Sequence, residues 1–163
     1  MRDDFLVFGS PRIEEAEIAE VVACLRSGWI GTGPRVRQFE QDFCAYKKIP
    51  YAAALNSATA GLHLSCLALG LGPGDEVITT AMTFCATVNA IIHSGATPVL
   101  ADIDPETGNI DAARIAEKIT SRTKALLIVH LAGRPCDMDA LMKLAKERHL
   151  FVIEDCAHAI ETE

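Results

Sequence analysis

The sequence has no long apolar run and no cluster of positive charge. None of its apolar stretches approaches the roughly 20 residues of a membrane helix, and its first residues lack the apolar run and small-residue cleavage site of a leader. The net charge of −7 is spread along the 163 residues. Without a Lys/Arg cluster, the surface offers little to nucleic acid or anionic lipid. We therefore expect a cytoplasmic protein that binds neither nucleic acid nor membranes.

Paired cysteine motifs are also missing. The chain has six cysteines, but no two form a C-x-x-C pair and no spacing suits zinc. Each lies in an apolar or helical context, so we predict free, buried thiols without a metal. No G-x-G-x-x-G motif follows the first predicted strand, which leaves a doubly wound nucleotide-binding domain as the weakest interpretation.

The sequence does have a regular alternation of strand and helix patterns. Short apolar runs predict strands at 52–55, 76–79, 97–101, 125–130 and 150–153. Helical periodicity lies between them at 58–69, 84–93, 111–119 and 138–148, and before them at 13–27 and 36–46. This order predicts an α/β fold with a mostly parallel sheet. Residues 1–50 are predicted to form a helical amino-terminal segment.

The last predicted strand ends in an acidic pair. Residues 150–153 are apolar, and Glu154 and Asp155 follow directly. A buried parallel strand would project Asp155 into the crevice where open α/β sheets bind ligands. A buried carboxylate needs a positive partner, and no Lys or Arg stands beside it. A cationic ligand such as a protonated pyridine nitrogen is one interpretation; an Asp that caps the following turn is the other. His158 would share the same crevice.

A predicted helix also opens on small hydroxylated residues at 56–61. Unpaired amides at a helix start attract phosphate, and the hydroxyl of Ser57 or Thr59 would add a donor. The alternative is an ordinary cap in which Ser57 satisfies its own helix.

Aromatic residues are few, and two of them stand among small residues. Phe84 follows the strand at 76–79 and would stack on a flat ring in the crevice, or else belong to the core. Trp29, on a glycine-rich loop, would contact a ligand or a second subunit, or else cover its own core. His130 ends a strand and would line the crevice or form hydrogen bonds in the interior.

Taken together, these segments resemble the DegT/DnrJ/EryC1/StrS family of sugar aminotransferases, which depend on pyridoxal 5'-phosphate (PLP). The resemblance covers almost the whole chain in the family's order. It is carried by SGWIGTGP at 27–34, NSATAGLH at 56–63, GDEVIT at 74–79, GATPV at 95–99, VHLAG at 129–133 with DMD at 137–139, and IEDCAHA at 153–159. The SATAG form of the second segment resembles the members that make 4-amino-4-deoxy-L-arabinose nucleotides, whereas Phe84 and Cys156 depart from that subgroup.

The resemblance implies a fold-type I PLP-dependent transferase large domain with three α/β/α layers. It implies that Thr59 and the amides of Ala58 and Ala60 hold the cofactor phosphate and that Phe84 stacks on the ring. Asp155 would pair with the ring nitrogen, and His158 would sit beside the ring.

The resemblance also implies the reaction and the assembly. A glutamate would donate an amino group to a keto sugar nucleotide in a homodimer, and Trp29 would contact the substrate.

The lysine that bonds the cofactor lies, in the family, beyond the segment at 153–159. None of the lysines present matches that position. The resemblance therefore implies that 1–163 is a truncated, amino-terminal part of the large domain that is inactive alone. A different class also stays open: a non-catalytic or regulatory module that keeps the fold and binds a phosphate ligand or a partner chain.

Overall fold

The chain divides into two units, and the first of them contains two helices. The computed structural model describes residues 11–162, and the boundary between the units falls between Ala54 and Leu55. Helix α1 spans Glu15–Arg26 and helix α2 spans Pro34–Lys47. A capping box opens α1, and a proline, whose fixed φ suits the first helical position, opens α2. Both predicted helices are confirmed; the predicted absence of a leader concerns residues outside those described.

The second unit alternates helices and strands. Its helices are α3 (Ala58–Ala68), α4 (Cys85–His93), α5 (Ala112–Ala116) and α6 (Met138–Arg148). Its strands are β1 (Glu76–Thr80), β2 (Thr97–Ala101), β3 (Thr123–Val129) and β4 (Phe151–Asp155). A 3-10 turn, Leu131–Gly133, follows β3.

The strands form one four-stranded sheet in the order β2-β1-β3-β4. Every pairing is parallel, with Ile78 opposite Val99, Val77 opposite Ala125, and Val129 opposite Asp155. Because the strands are parallel, their carboxyl ends share one edge of the sheet. Asp155, as the last residue of β4, therefore lies at that edge.

Apolar side chains alternate between the two faces of the sheet and build a core on each. Leu127 and Ile153 pack with Leu62 and Cys66 of α3 and with Ile91 of α4. On the other face, the core joins strand residues to α5 and α6; it contains Ile78, Leu126, Ile128, Ile115, Leu141 and Ala145. The result is the predicted three-layer α/β/α arrangement.

One predicted strand is wrong, and others shift in length. Residues 52–55 pair with no strand in the described part of the chain, and the unit boundary passes through them. The segment is mostly alanine, which has a low strand propensity and little side chain to pack. Helix α5 is shorter than the predicted 111–119. Strand β4 is longer than predicted and includes both Glu154 and Asp155.

Candidate active site

Helix starts and strand ends of the second unit meet at the carboxyl edge of the sheet. Helix α4 begins a few residues after β1 ends, so its first turn lies at this edge. Helix α3 leads into the start of β1 and packs against α4 and β4, so α3 runs opposite to the strands. Its amino terminus therefore also lies toward this edge, on the same face as Asp155.

The Asp155 side chain is buried at this edge, with 7% of the residue exposed. Its Oδ2 accepts a hydrogen bond from Thr87 Oγ1 at 2.8 Å, and its Oδ1 accepts one from the Ala157 amide at 3.2 Å. Within residues 11–162, no basic side chain forms an ion pair with Asp155. The Ala157 contact confirms the turn-capping interpretation, but it leaves the negative charge without a cation.

Two threonines of the α4 region complete this arrangement, although neither has a role predicted from the sequence. Thr87 is fully buried, and its Oγ1 lies 2.7 Å from Thr83 Oγ1. Thr83 lies just before α4 and Thr87 lies in its first turn. No local pattern signals their role, because Asp155 stands 68 positions after Thr87 in the chain.

The start of α3 shows how the predicted phosphate-binding residues are used. Ser57 is the N-cap, and its Oγ accepts the Ala60 amide at 3.1 Å, which confirms the capping interpretation. The Ala60 amide, predicted as a phosphate donor, is therefore engaged. Within residues 11–162, the amides of Ala58 and Thr59 have no acceptor, as expected in a first helical turn. Both residues are exposed.

The other two predicted cofactor contacts are also exposed. Phe84 is the N-cap residue of α4 and is 76% exposed, so the core interpretation of this ring is wrong. An aromatic ring left this open has a large apolar face available to a ligand. His158 is exposed in the turn after β4.

A sequence profile of the DegT/DnrJ/EryC1/StrS aminotransferase family matches residues 11–163. The chain belongs to this family. The spore coat polysaccharide biosynthesis protein SpsC of Bacillus subtilis is 51% identical over 161 residues, which are 99% of this chain and 41% of that protein. The family expectation drawn from the sequence is thus confirmed.

Solved structures of aminotransferases show the same fold. The aminotransferase from Psychrobacter cryohalolentis superposes with a TM-score of 0.88 at 44% identity, over 91% of this chain and 38% of that one. NtdA from Bacillus subtilis, with its cofactor PMP (pyridoxamine phosphate) bound, gives 0.86 at 39% identity, over 91% and 35%. The chain spans about two fifths of the length of the curated relatives it matches.

The DegT/DnrJ/EryC1/StrS family is PLP-dependent, and the carboxyl edge of this sheet fits such a cofactor. A buried carboxylate whose neighbours are a hydroxyl and an amide calls for a cation. The protonated ring nitrogen of PLP is one, and its phosphate suits the two open amides of α3.

A second polar cluster of this family member lies on the opposite face of the sheet. His130 Nε2 is 3.0 Å from Glu154 Oε2, with Cys156 nearby. The Cys136 amide donates to His130 Nδ1 at 3.1 Å, so the neutral ring carries its proton on Nε2, where a metal would have to bind. We therefore interpret His130 as the predicted hydrogen-bonded interior histidine.

The loop after β3 is tied to the segment that carries His158. Gly133 has a φ of +86°, and a Cβ there would lie 2.9 Å from the His158 carbonyl oxygen. Thr162 Oγ1 also donates to the Gly133 carbonyl at 2.7 Å. Buried Asn109 holds the other side of the loop. Its Oδ1 accepts a hydrogen bond from the Leu131 amide, and its Nδ2 donates to the carbonyls of Arg134 and Pro135. The VHLAG segment thus supports the turn that follows Asp155.

Trp29 lies in the first unit, on the loop between α1 and α2, and is 58% exposed. Its Nε1 donates to the Thr32 carbonyl at 3.0 Å, and the Gly33 backbone lies directly against the indole. Any side chain at Gly33 would collide with this ring. The glycine-rich loop therefore fixes the tryptophan in one place, beside a surface cavity of about 500 Å³.

No helix within residues 11–162 combines the length and apolar character needed to cross a bilayer.

Proposed function

We propose that this chain is the cofactor-binding part of a PLP-dependent nucleotide-sugar aminotransferase. The whole enzyme passes an amino group from glutamate to a keto sugar carried on a nucleotide. Family membership supports the reaction class, and the name of the polysaccharide biosynthesis relative supports a sugar acceptor. The cytoplasmic location and the homodimer predicted from the sequence belong to the same proposal, with Trp29 as a substrate contact.

Each residue at the carboxyl edge has a separate proposed role toward the cofactor. The Ala58 and Thr59 amides and the Thr59 hydroxyl bind the phosphate; the Ala60 amide joins them only if Ser57 turns away. Phe84 would stack on the ring, and His158 would sit beside it. Asp155 pairs with the ring nitrogen and favours its protonated form. When bound, PLP supplies the electron sink for the carbanion that forms at the substrate carbon.

Asp155 is the observation that carries this proposal. It is a buried carboxylate at the end of a parallel strand, held by two neutral donors and paired with no cation among residues 11–162. Such a group is costly unless a positive ligand joins it. The neighbouring helix start supports a ligand that also carries a phosphate.

The proposal predicts that the chain binds PMP, which needs no bond to a lysine. We expect Asp155→Asn to weaken PMP binding about tenfold to hundredfold, because a charge-assisted pairing is lost. Glu154→Gln is the matched control, since it removes the adjacent carboxylate on the other face of the sheet. Titration calorimetry measures both. Equal affinity of Asp155→Asn and the unaltered chain would contradict the role of Asp155.

A second prediction concerns the missing lysine. The lysines of the second unit lie on or beside α5, α6 and the first residues of β3. We therefore expect the 163-residue chain mixed with PLP to show no absorbance band of a lysine-bonded cofactor, and no turnover. A clear band of that kind would contradict this expectation while leaving the PMP result intact.

A further inference from the structure

Thr87 joins α4 to the tip of β4 through a buried hydrogen bond. Its residue is fully buried, and its Oγ1 lies 2.8 Å from Asp155 Oδ2. The nearest hydroxyl on its other side is Thr83 Oγ1, at 2.7 Å. The three side chains therefore form a continuous line from the start of α4 to the carboxylate.

The ionised carboxylate determines which hydroxyl donates and which accepts in this line. An ionised carboxylate only accepts, so the single hydroxyl proton of Thr87 is donated to Asp155. The Thr87 oxygen must then accept, so Thr83 donates to it. Each bond polarises the next, which strengthens the donation to Asp155. The Ala157 amide holds the other carboxylate oxygen, and the two donors together fix the plane of the carboxylate.

We propose that Thr87, supported by Thr83, is a positioning residue that fixes the Asp155 carboxylate toward the ring nitrogen of the cofactor and thereby sets the proton affinity of that nitrogen. This inference rests on the proposed function. Without the Thr87 hydroxyl, Oδ2 loses its one protein donor among residues 11–162, and the Ala157 amide at Oδ1 is left to orient the carboxylate alone. The ring nitrogen then faces a less well-aligned charge.

The test uses PMP labelled with nitrogen-15 in the ring and follows the labelled nucleus by NMR across a pH titration of the bound complex. Thr87→Val keeps the shape of the side chain and removes the hydroxyl. We expect it to lower the proton affinity of the bound ring nitrogen about tenfold, one pKa unit. Thr87→Ser, which keeps the hydroxyl, restores the original titration. Thr83→Val, at a half-buried position, gives a smaller shift in the same direction.

Thr123→Val is the matched control. Thr123 is also a buried threonine whose Oγ1 takes part in a hydrogen bond, but it lies at the amino end of β3, at the opposite edge of the sheet. We expect this variant to lower the melting temperature and to leave the nitrogen titration unchanged. A stability effect is thereby separated from a positioning effect.

The outcomes distinguish the inference from the function on which it rests. An unaltered chain that does not bind PMP overturns both. PMP binding combined with an unshifted titration in Thr87→Val overturns the inference alone. If Thr87→Val does not fold, Thr83→Val decides in its place, and an unshifted titration there overturns the inference.

Discussion

The cysteines differ in burial and therefore in the reactivity of their thiols. None of the six forms a disulfide, in agreement with the predicted thiols. Cys66 and Cys136 are buried, Cys24 and Cys44 are half-buried, and Cys85 and Cys156 are exposed, so the expectation of uniformly buried thiols is wrong. Burial raises the pKa of the Cys66 thiol. Burial and the nearby Glu154 carboxylate raise the pKa of Cys136 to about 11. Because the thiolate is the reactive form, burial and the raised pKa both lower the reactivity of Cys66 and Cys136.

We predict that iodoacetamide at mildly alkaline pH labels Cys85 and Cys156 in the folded chain. Cys136 should react at least about a hundredfold more slowly, because little of its thiol is ionised and the reagent cannot reach it. Peptide mass spectrometry of timed samples measures each site. The denatured chain, in which all sites should react alike, is the control; native labelling of Cys136 at the rate of Cys85 would contradict the prediction.

At the same scale, Asp155 was predictable from the sequence because an apolar run that ends in an acidic residue is a local pattern. The role of Thr87 was not predictable, because its partner stands 68 positions away in the chain. No local rule shows that a threonine one turn into a helix will meet a strand end. The exposure of Phe84 was likewise invisible, since a core ring and a ligand-facing ring have the same neighbours in sequence.

At the scale of loops, Gly133 links the turn after β3 to the segment after β4. A side chain there meets two obstacles: a left-handed backbone and the His158 carbonyl oxygen at 2.9 Å. We predict that Gly133→Ala lowers the free energy of unfolding by about 3 kcal/mol, from strain plus overpacking. Urea unfolding followed by circular dichroism measures it.

Gly70→Ala is the matched control for that variant. Gly70 also has a left-handed backbone, with a φ of +70°, but no atom lies within 4 Å of the added Cβ. Its cost should therefore be the conformational part alone, about 1 kcal/mol. Equal losses in the two variants would show that the His158 contact adds nothing.

Secondary elements were predictable where pattern and packing agree. Helix α6 matches its predicted bounds because its apolar stripe, its Asp137 cap and the left-handed His149 at its end all act together. The strand predicted at 52–55 is absent because an alanine run has too low a strand propensity to form a strand without a neighbouring strand. The extension of β4 to Asp155 depends on its pairing with Val129, which only the folded sheet provides.

At the scale of the whole molecule, a buried carboxylate connects the two central strands of the sheet, β1 and β3. Glu76 begins β1, and only 7% of its side chain is exposed. Thr120 donates to its Oε2, and Arg122 donates to its Oε1 from Nε at 2.9 Å. These donors stand just before β3, so the contact joins the two central strands. The Thr120 and Arg122 hydrogen bonds hold the pKa of Glu76 below its ordinary value.

This lowered pKa makes part of the stability dependent on pH. A carboxyl group whose pKa is lower in the folded chain stabilises it above the unfolded pKa, and that contribution is lost as the pH falls through the folded value. We predict that Glu76→Gln lowers the unfolding midpoint at neutral pH and flattens its decline on acidification. Glu117→Gln, which breaks an exposed pair with Arg114, should leave the decline unchanged, because surface pairs contribute little. Urea midpoints across an acid series measure the slopes. An undiminished slope in Glu76→Gln would assign the acid sensitivity to other carboxylates and contradict the prediction.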